Sequence, residues 1–320
     1  MKTISIIVPT YNEADNVKPL SAEIIRVLGE FLDVYEYELI FIDNDSVDGT
    51  RTAIEELCMS NRNIKAIFNA KNFGQFNSPY HAMCQAMGDC VILLAADFQD
   101  PIELIPEFLR EWERGHGIVH GVKVKSRESG FVYFLRSCYY RMIKKMSTVE
   151  QIEHFTGFGL YDKIFIDVLR NLGDSQPFLR GIVAELGFNR KEIPYTQLKR
   201  RAGKTKNNWY SLYDAAMLSF TSYTKTGLRI AVILGFVFSA LSLLSAFVYT
   251  IFKLMFWDTF PAGMIPVLLG VFVLGSLQLF FIGLVGEYIM NINSRIMNRP
   301  LVIEEKRINF DKTNSLENAD

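Results

Sequence analysis

The chain has 320 residues, of which 49% are hydrophobic and 22% charged, a composition that excludes wholesale disorder. Its 34 basic and 35 acidic residues leave a formal net charge of −1, so no basic excess points to nucleic acid and no such partner is expected. Glycine (21) and proline (10) are too scarce for a collagen-like or low-complexity chain.

The first apolar run, Ile4–Val8, is continuous, as in a strand buried on both faces. It is too short for a signal peptide and is broken by Pro9. A turn follows, then an amphipathic helix through about Phe31. Glu38–Ile42 reads as a second strand ending at Asp43, and Asp48-Gly49-Thr50 as the start of a helix leading to about Met59. Ile64–Phe68 is a third strand, 77–87 a third helix, and Val91–Ala95 a fourth strand ending before Asp97. Asp100, Pro101 and Glu103 have the N-cap, first-turn and capping-box chemistry of a helix beginning at Pro101. The cysteines at 58, 84, 90 and 138 form no CxxC pair and read as buried free thiols in a reducing compartment.

Such alternation of strands and helices predicts an α/β domain with a mostly parallel sheet and right-handed crossovers. Ligands of such sheets bind beyond the carboxyl ends of the strands. Here those ends carry Tyr11-Asn12-Glu13, Asp43-Asn44-Asp45 and Asp97-Phe98-Gln99-Asp100. Neither GxGxxG nor GxxxxGK[ST] occurs, which argues against a dinucleotide fold or a P-loop ATPase. Carboxylates repel a diphosphate unless a divalent cation stands between them, and Mg²⁺ or Mn²⁺ accepts such oxygen ligands. Asp97 and Gln99 offer two oxygens for it, and Asp43 is a candidate acceptor for a base or ribose hydroxyl. Helix capping accounts well for Asp48 and Asp100 and poorly for Asp97.

Two uncharged apolar segments follow, about 230–252 and 265–286, each long enough to cross a bilayer core of about 30 Å. Their link holds Phe256, Trp257 and Phe260, aromatics suited to a headgroup interface. Lys199, Arg200, Arg201, Lys204, Lys206, Lys225 and Arg229 precede the first segment; Arg295, Arg299, Lys306 and Arg307 follow the second. The positive-inside rule then predicts a two-helix hairpin (228–290) with both termini cytoplasmic. The remainder divides into a cytosolic domain (1–225) and a cytosolic tail (291–320), polar and without expected structure after about 308. Phe131–Lys145 mixes aromatics with Arg136, Arg141, Lys144 and Lys145, as an interfacial helix requires. A second such helix is placed at 207–225; a buried helix is the alternative for 131–145.

VPTYNE (8–13), DNDSVDGT (43–50), NFGQ (72–75) and ADFQDP (96–101) resemble the family 2 glycosyltransferases. FLRG (178–181), RAGKTK (201–206) and the paired apolar segments narrow the resemblance to the polyisoprenyl-phosphate glycosyltransferases, including dolichol-phosphate mannose synthases and bactoprenol glucosyltransferases. It extends to about residue 300. It implies a nucleotide-sugar-binding domain of the GT-A type at the cell (inner) membrane, transferring a hexose with inversion to polyprenyl phosphate at the cytosolic face. UDP-glucose is the favoured donor, and a homo-oligomer, with a tetramer as the candidate form, the implied assembly. By the same resemblance Pro9, Tyr11, Glu13 and Asp43 cradle base and ribose, and Ala96, Asp97 and Gln99 match the end of the family's acidic motif in the nucleotide-sugar site. Asp97 and Gln99 hold Mg²⁺ or Mn²⁺, Arg201 and Lys206 close on the donor phosphates, and Arg127 and Arg180 lie near the reaction centre. Ordinary solvated arginines are the alternative for the last two.

The chain departs from that family's pattern at Ala95, Asn44 and Asp45, and Gly157 stands where many relatives carry a candidate catalytic Asp. These changes keep open a catalytically weak, membrane-anchored sugar-nucleotide scaffold. A processive polysaccharide synthase is the third reading, opposed by having only two spans and FLRG in place of a QxxRW motif.

Overall fold

The computed structural model describes residues 1–125, 155–198, 200–201, 217–218, 220–221, 226–256, 264–297 and 299–310. Arg127, Lys206, the segment 131–145 and most of 207–225 lie outside the described residues. The chain divides into two compact units, one of Met1–Ser137, Glu150–Asn208 and Asn298–Asp320, the other of Cys138–Val149 and Trp209–Met297.

The first unit is organised by one eight-stranded sheet: β1 (Lys2–Thr10), β2 (Tyr35–Asp43), β3 (Ile64–Asn69), β4 (Cys90–Leu93), β5 (Ile118–Lys125), β6 (Phe155–Asp162), β7 (Arg190–Thr196) and β8 (Glu304–Ile308). Their spatial order is β7-β5-β6-β4-β1-β2-β3-β8. The pairs β1/β2, β1/β4, β2/β3 and β5/β7 are parallel; β6 runs antiparallel to β4 and β5, and β8 antiparallel to β3.

Strand β1 is central, so both its faces must be apolar, which is why its sequence does not alternate. Ile4, Ile6 and Val8 pack in one layer with Leu20 and Ile24 of α1 (Ala14–Gly29) and Phe108 of α4 (Ile105–Glu113). Ile7 packs in the other with Tyr80 and Met83 of α3 (Gly74–Gln85) and Phe165 of α5 (Lys163–Leu172). Helix α2 (Thr50–Ser60) lies between β2 and β3 in sequence, and α6 (Leu179–Glu185) between α5 and β7.

Three local expectations are revised. Helix α3 begins at Gly74, three residues early, because the Asn72 side chain accepts the Gly74 N–H at 2.8 Å. No helix begins at Pro101 through an Asp100 cap. A short 3₁₀ turn, Ile102–Leu104, precedes α4, and the Asp100 carboxylate is turned inward to the Ala95 N–H and the Tyr195 hydroxyl. Finally, 304–308, assigned above to the tail, forms β8. Its sequence has no apolar period, and it is held by ion pairs: Lys306 to Glu55 at 2.8 Å, Glu305 to Arg51 at 2.8 Å, and His81 to Glu304 at 2.5 Å.

The second unit contains α7 (Thr226–Met255) and α8 (Met264–Ile296), of 30 and 33 residues. At about 1.5 Å per residue each is longer than a bilayer core is thick. Among the described residues, one stretch, Val273–Ile296, is long and apolar enough to cross a membrane, so a second span is not established by the same measure. Both helices expose large apolar side chains, among them Phe236, Phe247, Leu279 and Phe280.

Candidate active site

Parallel pairing brings the ends of β1, β2 and β4 to one edge of the sheet: Thr10 registers with Asp43, and the Leu94 N–H donates to the Ile7 carbonyl. Backbone strain is concentrated just beyond them. Among the described residues, three of the four non-glycine residues with positive φ are Asn12 (54°), Asp45 (64°) and Phe98 (60°), one after each of these strands. Side chains rarely adopt that region, least of all a bulky one such as Phe98. It persists where surrounding contacts over-determine it. The Asp45 turn therefore forms without the glycine that the resemblance leads one to expect.

Asp43 is fully buried. Oδ1 accepts from the hydroxyls of Ser46 (2.5 Å) and Thr10 (3.3 Å), and Oδ2 from the Ser46 N–H and Arg51 Nε, both at 3.0 Å. Beside it Asn44 is a cross-link. Its Oδ1 accepts from Phe73 N–H (2.8 Å), Ser78 Oγ (2.8 Å) and Asn69 Nδ2 (3.1 Å), and its Nδ2 donates to Asn72 Oδ1 (2.8 Å) and the Gly74 carbonyl (3.3 Å). An aspartate could not make the last two bonds. The β1 turn is tied to the same shelf: Asn12 N–H donates to Ser46 Oγ and Glu13 N–H to Thr50 Oγ1, each at 2.8 Å. Glu13 also accepts from the Asn16 side chain at 2.6 Å, and Tyr11 is half-buried beside it.

At the end of β4, Ala96 and Asp97 are buried. Asp97 Oδ1 accepts the Gln99 N–H at 3.1 Å, and Oδ2 pairs with the Arg200 guanidinium at 2.7 Å. Arg201 lies over the Phe98 ring, 5.1 Å from its centroid. A neighbouring cavity of about 170 Å³ is lined by Pro9, Gln75, Ala95, Asp100, Gly157 and Arg180, among others. Burial pushes the Asp100 carboxyl up to about 6, against the hydrogen bonds from Tyr195 and the Ala95 N–H. Gly157 has φ 101°, so its backbone, as well as its lack of a side chain, distinguishes it from an aspartate.

The structure thus gathers Pro9, Asp100 and Arg180 around one cavity. It sets Tyr11, Glu13 and Asp43 on the β1–β2 shelf, and Asp97, Gln99 and Arg201 at the end of β4. Sequence reasoning missed Arg51 and Arg200 as partners of the two acidic strand ends, Asn44 as a cross-link, and Tyr195 as the partner of Asp100. Only Arg200 carried a signal, since it belongs to a basic run. Among the described residues no cluster of three or more His, Cys, Asp or Glu side chains is arranged to hold a metal.

The model of the glycosyl transferase family 2 matches residues 5–187, more than half of the chain and every strand end just described. The chain belongs to glycosyl transferase family 2. This glycosyltransferase is 29% identical over 304 residues to an SfII prophage-derived bactoprenol glucosyl transferase of Shigella flexneri, an alignment covering 95% of this chain and 97% of that protein. It is 30% identical over 306 residues to the uncharacterized glycosyltransferase YkoT of Bacillus subtilis, covering 93% and 89%. A solved mannosyltransferase, PcManGT of Pyrobaculum calidifontis, in complex with GDP-Man and Mn²⁺, aligns over 92% of this chain and 87% of that one at 15% identity and a TM-score of 0.45.

Proposed function

We propose that this glycosyltransferase moves a hexose from a nucleotide diphosphate sugar, UDP-glucose being favoured, to a polyprenyl phosphate at the cytosolic face of the cell membrane, with inversion. The observation that carries this reading is the end-to-end similarity to a bactoprenol glucosyl transferase, which extends through the apolar helices as well as the catalytic domain.

The position of β8 supports a membrane hairpin. Its pairing with β3 puts the chain after α8 in the same folded unit as the chain before α7. In this reading residues 226–296 leave and re-enter one side of the bilayer, which calls for an even number of crossings. With Val273–Ile296 suited to cross, α7 is the natural partner. In this reading both termini lie on one side, which the basic residues flanking the helices assign to the cytoplasm.

In this reading the residues that would hold Mg²⁺ or Mn²⁺ are at the end of β4. Asp97 is an anionic oxygen ligand already paired with a cation, the Arg200 guanidinium, and Gln99 adds a neutral amide oxygen. A divalent cation held there would offset charge on the departing diphosphate. In our reading Arg201 and Lys206 bind the same phosphates. Pro9, Tyr11, Glu13 and the Asp43 shelf carry base and ribose, Ala96 belongs to the same nucleotide-sugar site, and Arg127 and Arg180 orient the acceptor. A phosphate monoester has a second pKa of about 6, so near pH 7 its attacking oxygen is already ionised and no protein base is required.

Radiolabelled nucleotide sugars supplied to membranes containing the protein and undecaprenyl phosphate test the reading. One sugar per lipid is expected, most efficiently from UDP-glucose. Polymer would indicate a polysaccharide synthase, and binding without transfer a scaffold.

A further inference from the structure

Asp97 is only 7% exposed, and a carboxylate so placed needs a countercharge. Arg200 supplies it through a contact of 2.7 Å to Oδ2. The contact belongs to a longer association. Leu198 N–H donates to the Gln99 carbonyl at 3.1 Å, Arg201 N–H to the Asp97 carbonyl at 3.4 Å, and the Arg201 guanidinium covers Phe98. The described residues of 198–201 thus lie along 97–99, the stretch that holds both candidate metal ligands. A divalent cation on the same carboxylate would stand close to the guanidinium, and the two positive charges would repel each other.

We propose that Arg200 is an internal cation that holds the metal position on Asp97, leaves it when a divalent cation loads, and then grips the diphosphate of the nucleotide. This rests on the reading of Asp97 as a metal ligand. Arg200 suits both states, since its planar fork matches carboxylate and phosphate alike. The exchange makes cation loading and release of the Arg200 side chain one event. Without the cation, the ligands are covered and the basic segment is spent on Asp97. With it, the positive charge of Arg200 is free for the donor. Sequence reasoning gave the phosphate-binding role to Arg201 and Lys206; the ion pair adds Arg200 and gives it a second task.

The test uses the full-length protein in detergent, titrated first with Mn²⁺ alone, with free Mn²⁺ read by electron paramagnetic resonance, and then with UDP at saturating Mn²⁺. Arg200→Ala should tighten Mn²⁺ binding by about fivefold or more, the lower end of ordinary coupling between sites, and should weaken UDP binding. The opposite signs are the signature. Arg200→Lys, which keeps the charge, should stay near wild type in the first titration. Because Arg200→Ala leaves Asp97 without a countercharge, Mn²⁺ should also raise its melting temperature more than that of wild type. Unchanged or weaker Mn²⁺ binding by Arg200→Ala, with Asp97→Asn still abolishing it, would overturn the exchange and leave the metal site standing. Mn²⁺ binding that is insensitive to Asp97→Asn, or absent from wild type and Arg200→Ala alike, would overturn the metal site itself.

Discussion

Arg51 Nε lies 3.0 Å from Oδ2 of Asp43 and ties the first turn of α2 to the end of β2. The same guanidinium reaches the Asn69 carbonyl at 2.6 Å, Glu305 of β8 at 2.8 Å and Asp45 at 3.5 Å. One cation thus joins a fully buried carboxylate on the candidate nucleotide shelf to the strand that returns after the apolar helices.

Removing that cation leaves Asp43 charged and enclosed. Arg51→Met should cost about 3–5 kcal/mol of stability, the range for breaking a buried pair from one side. Glu305→Gln removes a partner whose side chain is 57% exposed and should cost less than about 1 kcal/mol. Thermal melting of the two purified variants checks the contrast. Equal losses would mean that the strand contact, and not the buried carboxylate, is what Arg51 serves.

Asn44 makes a second prediction. Asn44→Asp keeps the shape and loses both donors, so the new carboxylate faces Asn72 Oδ1 and the Gly74 carbonyl. Asn72 and Gly74 are exposed and the Asn72 oxygen keeps the Gly74 N–H, so the cost falls on the buried position 44, where the new carboxylate loses two bonds. The variant should be destabilised by about 1–3 kcal/mol. Hydrogen exchange should rise first at Phe73, whose N–H bonds to the same side chain. An aspartate tolerated without such a change would show that the NFGQ loop is held by other contacts.

The attachment of β8 depends on pH. Burial alone would raise the Glu304 carboxyl, but hydrogen bonds from His81 and Arg307 outweigh it and hold the group at about 2. A folded pKa below the unfolded value of 4.5 means that the unfolded chain binds the proton more readily. The stabilisation is therefore complete above pH 4.5 and is lost as pH falls from there toward 2. Amide exchange at Glu304–Ile308 should accelerate in that window, and Glu304→Gln should remove the dependence. Acceleration that persists in the variant would assign it to another carboxylate.

The parts of this architecture that the sequence makes legible are those with a period or a repeated chemistry. Ile4–Val8 is apolar but for Ser5 because β1 is covered on both faces, and the acidic residues after β1, β2 and β4 stand out because they cluster at one end of the parallel strands. Strand β8 is different. Glu304, Glu305, Lys306 and Arg307 look like any solvated run, and their pairing depends on Arg51, Glu55 and His81, which lie more than 200 residues away. Asp100 misled for the opposite reason: it has capping chemistry in the right place, yet burial turns it to the Tyr195 hydroxyl 95 residues downstream. Local pattern reports which faces are covered. It does not report which distant side chain answers a buried charge.

The same distinction bears on Gly157, where the resemblance leads one to expect an acidic residue. Space is available there: an added Cβ would meet only Leu93 Cδ2 at 3.5 Å and Leu179 Cδ2 at 4.0 Å. Conformation is not, because φ is 101° and side chains rarely adopt it. Gly157→Ala should therefore cost about 1–3 kcal/mol through backbone strain alone. Gly157→Asp should cost about as much, since its Cβ starts among the same Leu93 and Leu179 side chains and carries the same strained φ, although Arg180 lines the same cavity. If the acceptor phosphate supplies its own ionised oxygen, restoring the carboxylate has nothing to accelerate. We expect Gly157→Asp to be less stable than wild type and no faster in hexose transfer, with Gly157→Ala matching it in stability within about 1 kcal/mol. Measuring both variants separates the effects. A Gly157→Asp protein that is faster than wild type would show that a base at this position assists the reaction after all, and that the strand can bear the strain of carrying it.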